Sequence, residues 1–176
     1  MSDETVSRLI QSITARLSDA GIEDAGIDAR LLLRSAFGWS AAEQLGNLLD
    51  APPAEHLDQL EEMVLRRATR EPLQYITGST EFFRRQFSVN ENVLIPRPET
   101  EQLVVQTMAV IRERKIENPQ IADICTGSGA IAISLALEMP AAEVHATDIS
   151  SGALTIAQQN ADDLGAELDM YEGDLL

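Results

Sequence analysis

Residues 121–129 read IADICTGSG: a short apolar run carrying an acid, Asp123, that breaks into a glycine loop. A helical run, 130–138, follows at once. Strand, glycine turn and helix start, in that order, make a corner suited to anions and nucleotides, because the first N–H groups of a helix have no partner within it. Gly127 and Gly129 lack a Cβ, so the backbone can turn tightly and a ligand can approach it closely. Nineteen residues past Gly129, Asp148 ends a second apolar run, 143–147. An acid at the tip of the second strand suits the two hydroxyls of a ribose.

Two cofactor classes use such a corner. Gly127, Gly129 and Ala132 fit the G-x-G-x-x-G/A form of a dinucleotide site. The longer frame, Asp123-x-x-x-Gly127-x-Gly129, fits the loop of S-adenosylmethionine methyltransferases, in which the acid ahead of the loop helps to hold the cofactor's amino-acid end. A dinucleotide fingerprint usually opens its domain, and here more than a hundred residues precede it. The methyltransferase frame is the better fit on that ground. A glycine turn that binds nothing would leave the acid at the next strand end without a reason.

Length and composition limit the alternatives. A chain of 176 residues makes one domain or two small ones with a real core. The net charge of −16, with Lys115 the only lysine, repels nucleic acid and anionic membrane and suits a protein partner with a basic patch. The lone cysteine, Cys125, allows no internal disulfide. Neither a secretory signal nor a run near the roughly 20 apolar residues of a membrane span is visible, so a cytoplasmic protein is expected.

Ahead of the corner, Val6, Leu9, Ile10, Ile13 and Leu17 repeat at helical spacing, and Gly21 stops that helix. A second helix is predicted over 28–37. Ser40 and Glu43 have capping-box spacing for a third, and Pro53 opens a fourth that carries Leu57, Leu60, Val64 and Ala68 on one face. This section holds no glycine loop, metal spacing or acid pair, and reads as a small helical bundle whose candidate function is a docking surface. From Leu73 the period changes. Residues 73–76, a turn at Gly78, and 82–89, with 93–95 beyond a second turn at Asn90, Glu91 and Asn92, read as strands of a small β-hairpin. Phe82, Phe83 and Phe87 cluster there, either as hairpin core or as a wall against a substrate or adenine. In the hexapeptide PRPETE, Pro98 starts a helix reaching about Ile116, and Glu99 and Glu101 suit its positive end. Arg97, between two prolines, would be costly to bury without a purpose. Alternation then continues: strand 120–124, helix 130–138, strand to Asp148, helix 151–164 capped by Ser150, and a third strand with Asp174 near its tip. The expected fold is an α/β parallel, doubly wound, Rossmann-like sheet behind an all-α bundle. Three strands leave such a sheet incomplete, so a fragment of a longer protein is expected.

With these parts placed, the chain resembles the HemK/PrmC family of methyltransferases, which modify the glutamine of the GGQ motif in peptide chain release factors. The stretches that carry the resemblance are REPLQYITGSTEFF (70–83), VLIPRPETEQLV (93–104) and DICTGSGAIAISLA (123–136). The third alone would indicate only a methyltransferase; the second and third together are specific. The resemblance implies a helical bundle (1–71) that docks the release factor, a β-hairpin linker (72–97), and an incomplete class I methyltransferase domain (98–176). It implies S-adenosylmethionine as cofactor, held by Asp123, Cys125, Thr126, Gly127, Ser128, Gly129, Asp148 and Asp174, with Leu175 where relatives often place an aromatic beside the adenine. Arg97, Glu99 and Thr100 are candidates for the substrate pocket, and no metal is implied. The implied reaction is an in-line attack of the glutamine amide nitrogen on the cofactor's methyl group. Two departures stand out. Cys125 occupies the place of the loop's usual first glycine. The Asn-Pro-Pro-Tyr motif that receives the glutamine side chain does not occur in the 176 residues. It is expected beyond Leu176, so no catalytic residue is assigned within the chain, and this chain alone is expected to be inactive. A ribosomal-protein glutamine methyltransferase shares much of the pattern, and an NAD-dependent oxidoreductase remains the alternative from the loop alone.

Overall fold

The computed structural model describes residues 5–174, and the chain divides between Thr77 and Gly78 into two compact units. The first is helical: α1 (Val6–Asp19), α2 (Ala25–Phe37), α3 (Ala41–Gly46), α4 (Leu57–Ala68) and α5 (Leu73–Thr77). Its core follows from spacing. Val6, Ile10, Ile13 and Leu17 of α1 are buried against Leu32 and Leu33 of α2 and Leu60, Met63 and Val64 of α4. The capping box at α3 is complete: the Glu43 amide donates to Ser40 Oγ at 3.2 Å, and the Ser40 amide donates to the Glu43 carboxylate at 2.8 Å. Those bonds hold the Glu43 carboxyl below the usual carboxylate range. Helix α2 starts three residues earlier than the sequence pattern predicts, so Asp28 lies inside it. There Asp28 is buried and accepts from Arg67 Nε of α4 at 2.7 Å, while Arg67 Nη1 donates to the Glu71 carbonyl at 2.8 Å. This pair ties α2 to α4.

Residues 73–76 are a correction. They form a helix, α5, rather than a strand. Pro72 supplies the carbonyl that receives the Tyr75 and Ile76 amides at 3.1 and 3.3 Å. Leu73 and Ile76, three apart, both pack on the bundle core. Over four residues an apolar pair spaced by three is compatible with either period, and the core decides it.

The second unit opens with an antiparallel hairpin, β1 (Ser79–Phe82) and β2 (Arg85–Ser88). Its turn is Phe83–Arg84, both at positive φ (49° and 63°). Two-residue hairpin turns of this kind usually carry asparagine or glycine, which is why the sequence places the turn elsewhere. The Phe83 amide donates to Glu101 Oε1 at 2.8 Å, which fixes the strained corner. The expected strand at 93–95 does not form: Val93 and Ile95 are buried and Leu94 is exposed, but no strand pairs with them among the described residues. A 3-10 turn at Pro98–Thr100 leads into α6 (Glu101–Glu113). Then β3 (Gln120–Ile124), α7 (Ala130–Glu138), β4 (Glu143–Asp148), α8 (Ser151–Leu164) and β5 (Asp169–Glu172) alternate as expected. The sheet is parallel in the order β3-β4-β5, with Ile124 opposite Thr147 and Asp148 opposite Glu172. Phe82 and Phe87 meet edge to face with centroids 6.0 Å apart and pack with Val104, Met108, Ile133 and Leu135. These two rings are core, so the hairpin belongs to the α/β unit; Phe83 is half-buried at its margin.

The Asp28–Arg67 pair is mostly withdrawn from water, so removing one partner strands the other charge. Asp28→Ala is expected to lower stability by about 3 kcal/mol, measured by urea denaturation.

Candidate functional site

Parallel pairing brings the ends of β3 and β4 side by side, and the ladder runs on by one bond: the Thr126 amide donates to the Thr147 carbonyl at 2.9 Å. From there the loop alternates. Cys125 (φ 61°), Gly127 (58°) and Gly129 (77°) are left-handed, with Thr126 and Ser128 between them and both buried. A cysteine at such an angle is strained, which gives the physical reason a glycine fits this place. Its thiol is exposed.

The two glycines serve different ends. At Gly127 an added Cβ would meet nothing within 4 Å, so the loop is open on that side. At Gly129 it would lie 2.8 Å from Ile133 Cδ1, 3.2 Å from Ala157 Cβ and 3.4 Å from Ala157 Cα. The bare face of Gly129 is therefore packed against α7 and α8 rather than left for a ligand. Only the Gly127 side matches the open approach that the sequence suggests for both.

Two carboxylates hold this loop. Asp123 accepts from Thr126 Oγ1 at 2.7 Å and from the Ala132 amide in the first turn of α7. Burial pushes the Asp123 carboxyl above its ordinary value; those two bonds oppose the shift, and the neighbouring Asp148 charge adds to it. Asp148 accepts from the Gly127 amide on Oδ2 at 2.9 Å and from the Ser150 amide on Oδ1 at 3.0 Å. Its own carbonyl receives the Gly173 amide at 3.0 Å. Ser150 Oγ in turn accepts the Ala153 amide at 3.2 Å and so caps α8. A carboxylate offers about four lone-pair sites, and Asp148 spends one bond on each oxygen. One acceptor position per oxygen remains, which is what a pair of neighbouring hydroxyls needs.

Asp123, Cys125, Thr126, Gly127, Ser128, Gly129 and Asp148 thus come together as one corner. Asp174 is exposed just past β5. Leu175 and Leu176 lie outside the described residues. Arg97 and Glu99 are exposed and Thr100 is half-buried on the 3-10 turn before α6; among the described residues no hydrogen bond or ion pair joins them to the loop. Arg97 is not buried, so the cost anticipated for it does not arise. Two contributors escape the sequence reading. Ile149, directly after Asp148, is a large apolar side chain left 65% exposed. Asn160 is 1% exposed and donates to the Ser128 carbonyl at 2.9 Å. Its signal was present: Ala153, Ile156, Ala157 and Ala161 are the buried stripe of α8, and Asn160 sits on that stripe. At the opposite end of the strands, Glu143, His145 and Asp169 lie close enough to share an ion, with each ring nitrogen of His145 3.5 Å from a carboxylate oxygen.

Charge selects among ligands. No lysine or arginine occurs after Lys115, and the corner holds two carboxylates. Asp148 suits a ribose in either cofactor class, but a pyrophosphate at the start of α7 would face the Asp123 carboxylate with no cationic side chain from this segment between them. A ligand with a positive centre is favoured there.

The fold and corner place the second unit among α/β nucleotide-type binding domains, and residues 99–176 match the methyltransferase small domain. Residues 8–78 match the PrmC N-terminal domain, and the chain is similar to the PrmC family. It is 44% identical over 147 residues to the release factor glutamine methyltransferase of Neisseria gonorrhoeae, covering 84% of this chain and 52% of the relative. It is 38% identical over 167 residues to that of Streptomyces coelicolor (95% and 57%), and 38% over 175 residues to that of Bacillus subtilis (98% and 60%). The chain therefore spans a little over half the length of these relatives.

Two expected outcomes test the loop. Gly129→Ala should cost at least about 2 kcal/mol through combined crowding and strain, and Gly127→Ala about 1 kcal/mol through strain alone, both by thermal unfolding. Asp123 binds its proton more tightly in the folded chain, so its contribution to stability falls as pH rises through the window from its unfolded value to its raised folded value. Relative to the parent, Asp123→Asn should therefore gain stability between acidic and neutral pH; a constant difference across that range would contradict it.

Proposed function

We propose that this chain carries the cofactor-binding part of an S-adenosylmethionine-dependent protein methyltransferase that acts on the side-chain amide of glutamine in peptide chain release factors. The observation that carries the reading is the Asp148 carboxylate, with one free acceptor position per oxygen beside the open face of Gly127. The match to the PrmC N-terminal domain and the names of the relatives support the substrate. The cofactor would supply an electrophilic methyl group and a cationic sulfonium.

Each residue has a separable task. Asp148 would hold the two ribose hydroxyls, and Ile149, exposed beside it, would cover one face of the base. Asp123 and the loop 125–129 would face the amino-acid end, where an ammonium would relieve the repulsion between the two carboxylates. Asp174 and Leu175 would flank the base from β5. Arg97, Glu99 and Thr100 remain candidates for the substrate side. The bundle (1–71) would dock the release factor, the hairpin segment (72–97) would join it to the cofactor-binding part (98–176), and the strong negative charge would favour a basic protein surface over nucleic acid. No helix among the described residues is long and apolar enough to cross a membrane, and a cytoplasmic setting fits a translation factor as substrate. The 176 residues lack an Asn-Pro-Pro-Tyr turn to accept both amide hydrogens of the glutamine, so this polypeptide would bind cofactor without transferring methyl.

Calorimetry decides between the cofactor classes. S-adenosylhomocysteine should bind and NADH should not, and Asp148→Ala should weaken S-adenosylhomocysteine at least about tenfold, as expected for losing two charge-assisted hydrogen bonds. Binding of NADH, or an unchanged dissociation constant in Asp148→Ala, would overturn the assignment.

A further inference from the structure

We infer that Asn160 is a positioning residue that locks the cofactor loop to the β-hairpin, so that the hairpin sets the loop's geometry; this rests on the cofactor reading above. Asn160 lies on α8 and uses its whole amide. Oδ1 accepts the Ser88 amide at 2.7 Å, and Nδ2 donates to the Ser88 carbonyl at 3.0 Å and to the Ser128 carbonyl at 2.9 Å. Toward Ser88 the side chain behaves as an added rung on the outer edge of β2. Ser88 is 72 residues away in sequence and Ser128 is 32 away. One buried side chain therefore joins α8, the end of β2 and the loop.

The bond to Ser128 matters because the 128–129 peptide leads into Gly129, whose left-handed angle turns the chain into α7. Orienting that peptide orients the first amides of α7. Ser128 is 2% exposed, so if Asn160 lost its donors, water could not easily satisfy the carbonyl. The loop is gripped by α8 at two neighbouring points, since Ala157, three residues before Asn160, closes on Gly129. The chain after the hairpin rests on the same helix: a Cβ on Gly152 would lie 3.1 Å from Asn92 Cγ. Helix α8 is thus the common support for the hairpin, the segment after it and the loop.

The test compares Asn160→Asp with Met108→Ala in the same core. Asn160→Asp keeps the shape and the acceptor for the Ser88 amide but removes both donors and sets a carboxylate oxygen against the Ser128 carbonyl. Asn160→Ser is the second variant should the aspartate fail to fold. In calorimetry both Asn160 variants should raise the S-adenosylhomocysteine dissociation constant at least about tenfold at unchanged stoichiometry, the loss expected for one charged or buried polar contact. Met108→Ala should lower the melting temperature and leave the constant alone. Amide exchange supplies a readout without cofactor: in Asn160→Asp the Gly129 amide should exchange faster while the Ser88 amide stays protected. Wild-type affinity in the Asn160 variants, or a shift no larger than that of Met108→Ala, overturns the inference. So does unchanged exchange at Gly129. Failure of the parent chain to bind S-adenosylhomocysteine would instead count against the proposed function, leaving the exchange result to decide the link.

Discussion

Three left-handed residues in five, held between two carboxylates, are the constraint on which the α/β unit turns. Cys125, Gly127 and Gly129 bend the chain from β3 into α7. Such a bend is unfavourable on its own for cysteine and entropically costly for glycine. Asp123 stabilises it from below through Thr126 and the α7 start, and Asp148 from the side through the Gly127 amide. Neither acid can leave without loosening the loop, so the same groups proposed to meet a ligand also maintain the fold.

That double use shapes the electrostatics. Two like charges at one corner repel, and burial makes the charge on Asp123 harder to carry. The segment after Lys115 supplies no compensating cation. A corner left with surplus negative charge is primed for a cationic ligand, and this argues more directly for a sulfonium nucleoside than the glycine spacing does. The spacing and the acid at the second strand tip are shared by dinucleotide sites; a buried acid ahead of the loop is not part of that fingerprint.

Helix α8 links the corner to the rest of the unit. It begins at the Ser150 cap beside Asp148, closes on Gly129 through Ala157, and reaches the hairpin through Asn160. The hairpin is therefore more than a tether. Phe82 and Phe87 bury it in the core formed with α6 and α7, and Asn160 sets its edge against the loop. The hairpin and the loop then rest on one helix.

Much of this was legible in one dimension. The alternation of apolar runs with glycine and proline stops places β3, α7, β4 and α8, because local period and caps dominate where each element is long or sharply punctuated. The acids at the strand tips declare the corner, since only such positions make a polar residue at the end of an apolar run useful. Residues 73–76 and the Phe83–Arg84 turn were not legible. The first is too short for a period to be distinctive, and the second uses residues that turn only because Glu101 fixes them. The division of labour between Gly127 and Gly129, and the whole role of Asn160, belong to the tertiary structure alone. A hydrogen bond across 72 residues has no local signature, and whether a missing Cβ leaves room for a ligand or for a helix depends on what the fold brings to that face.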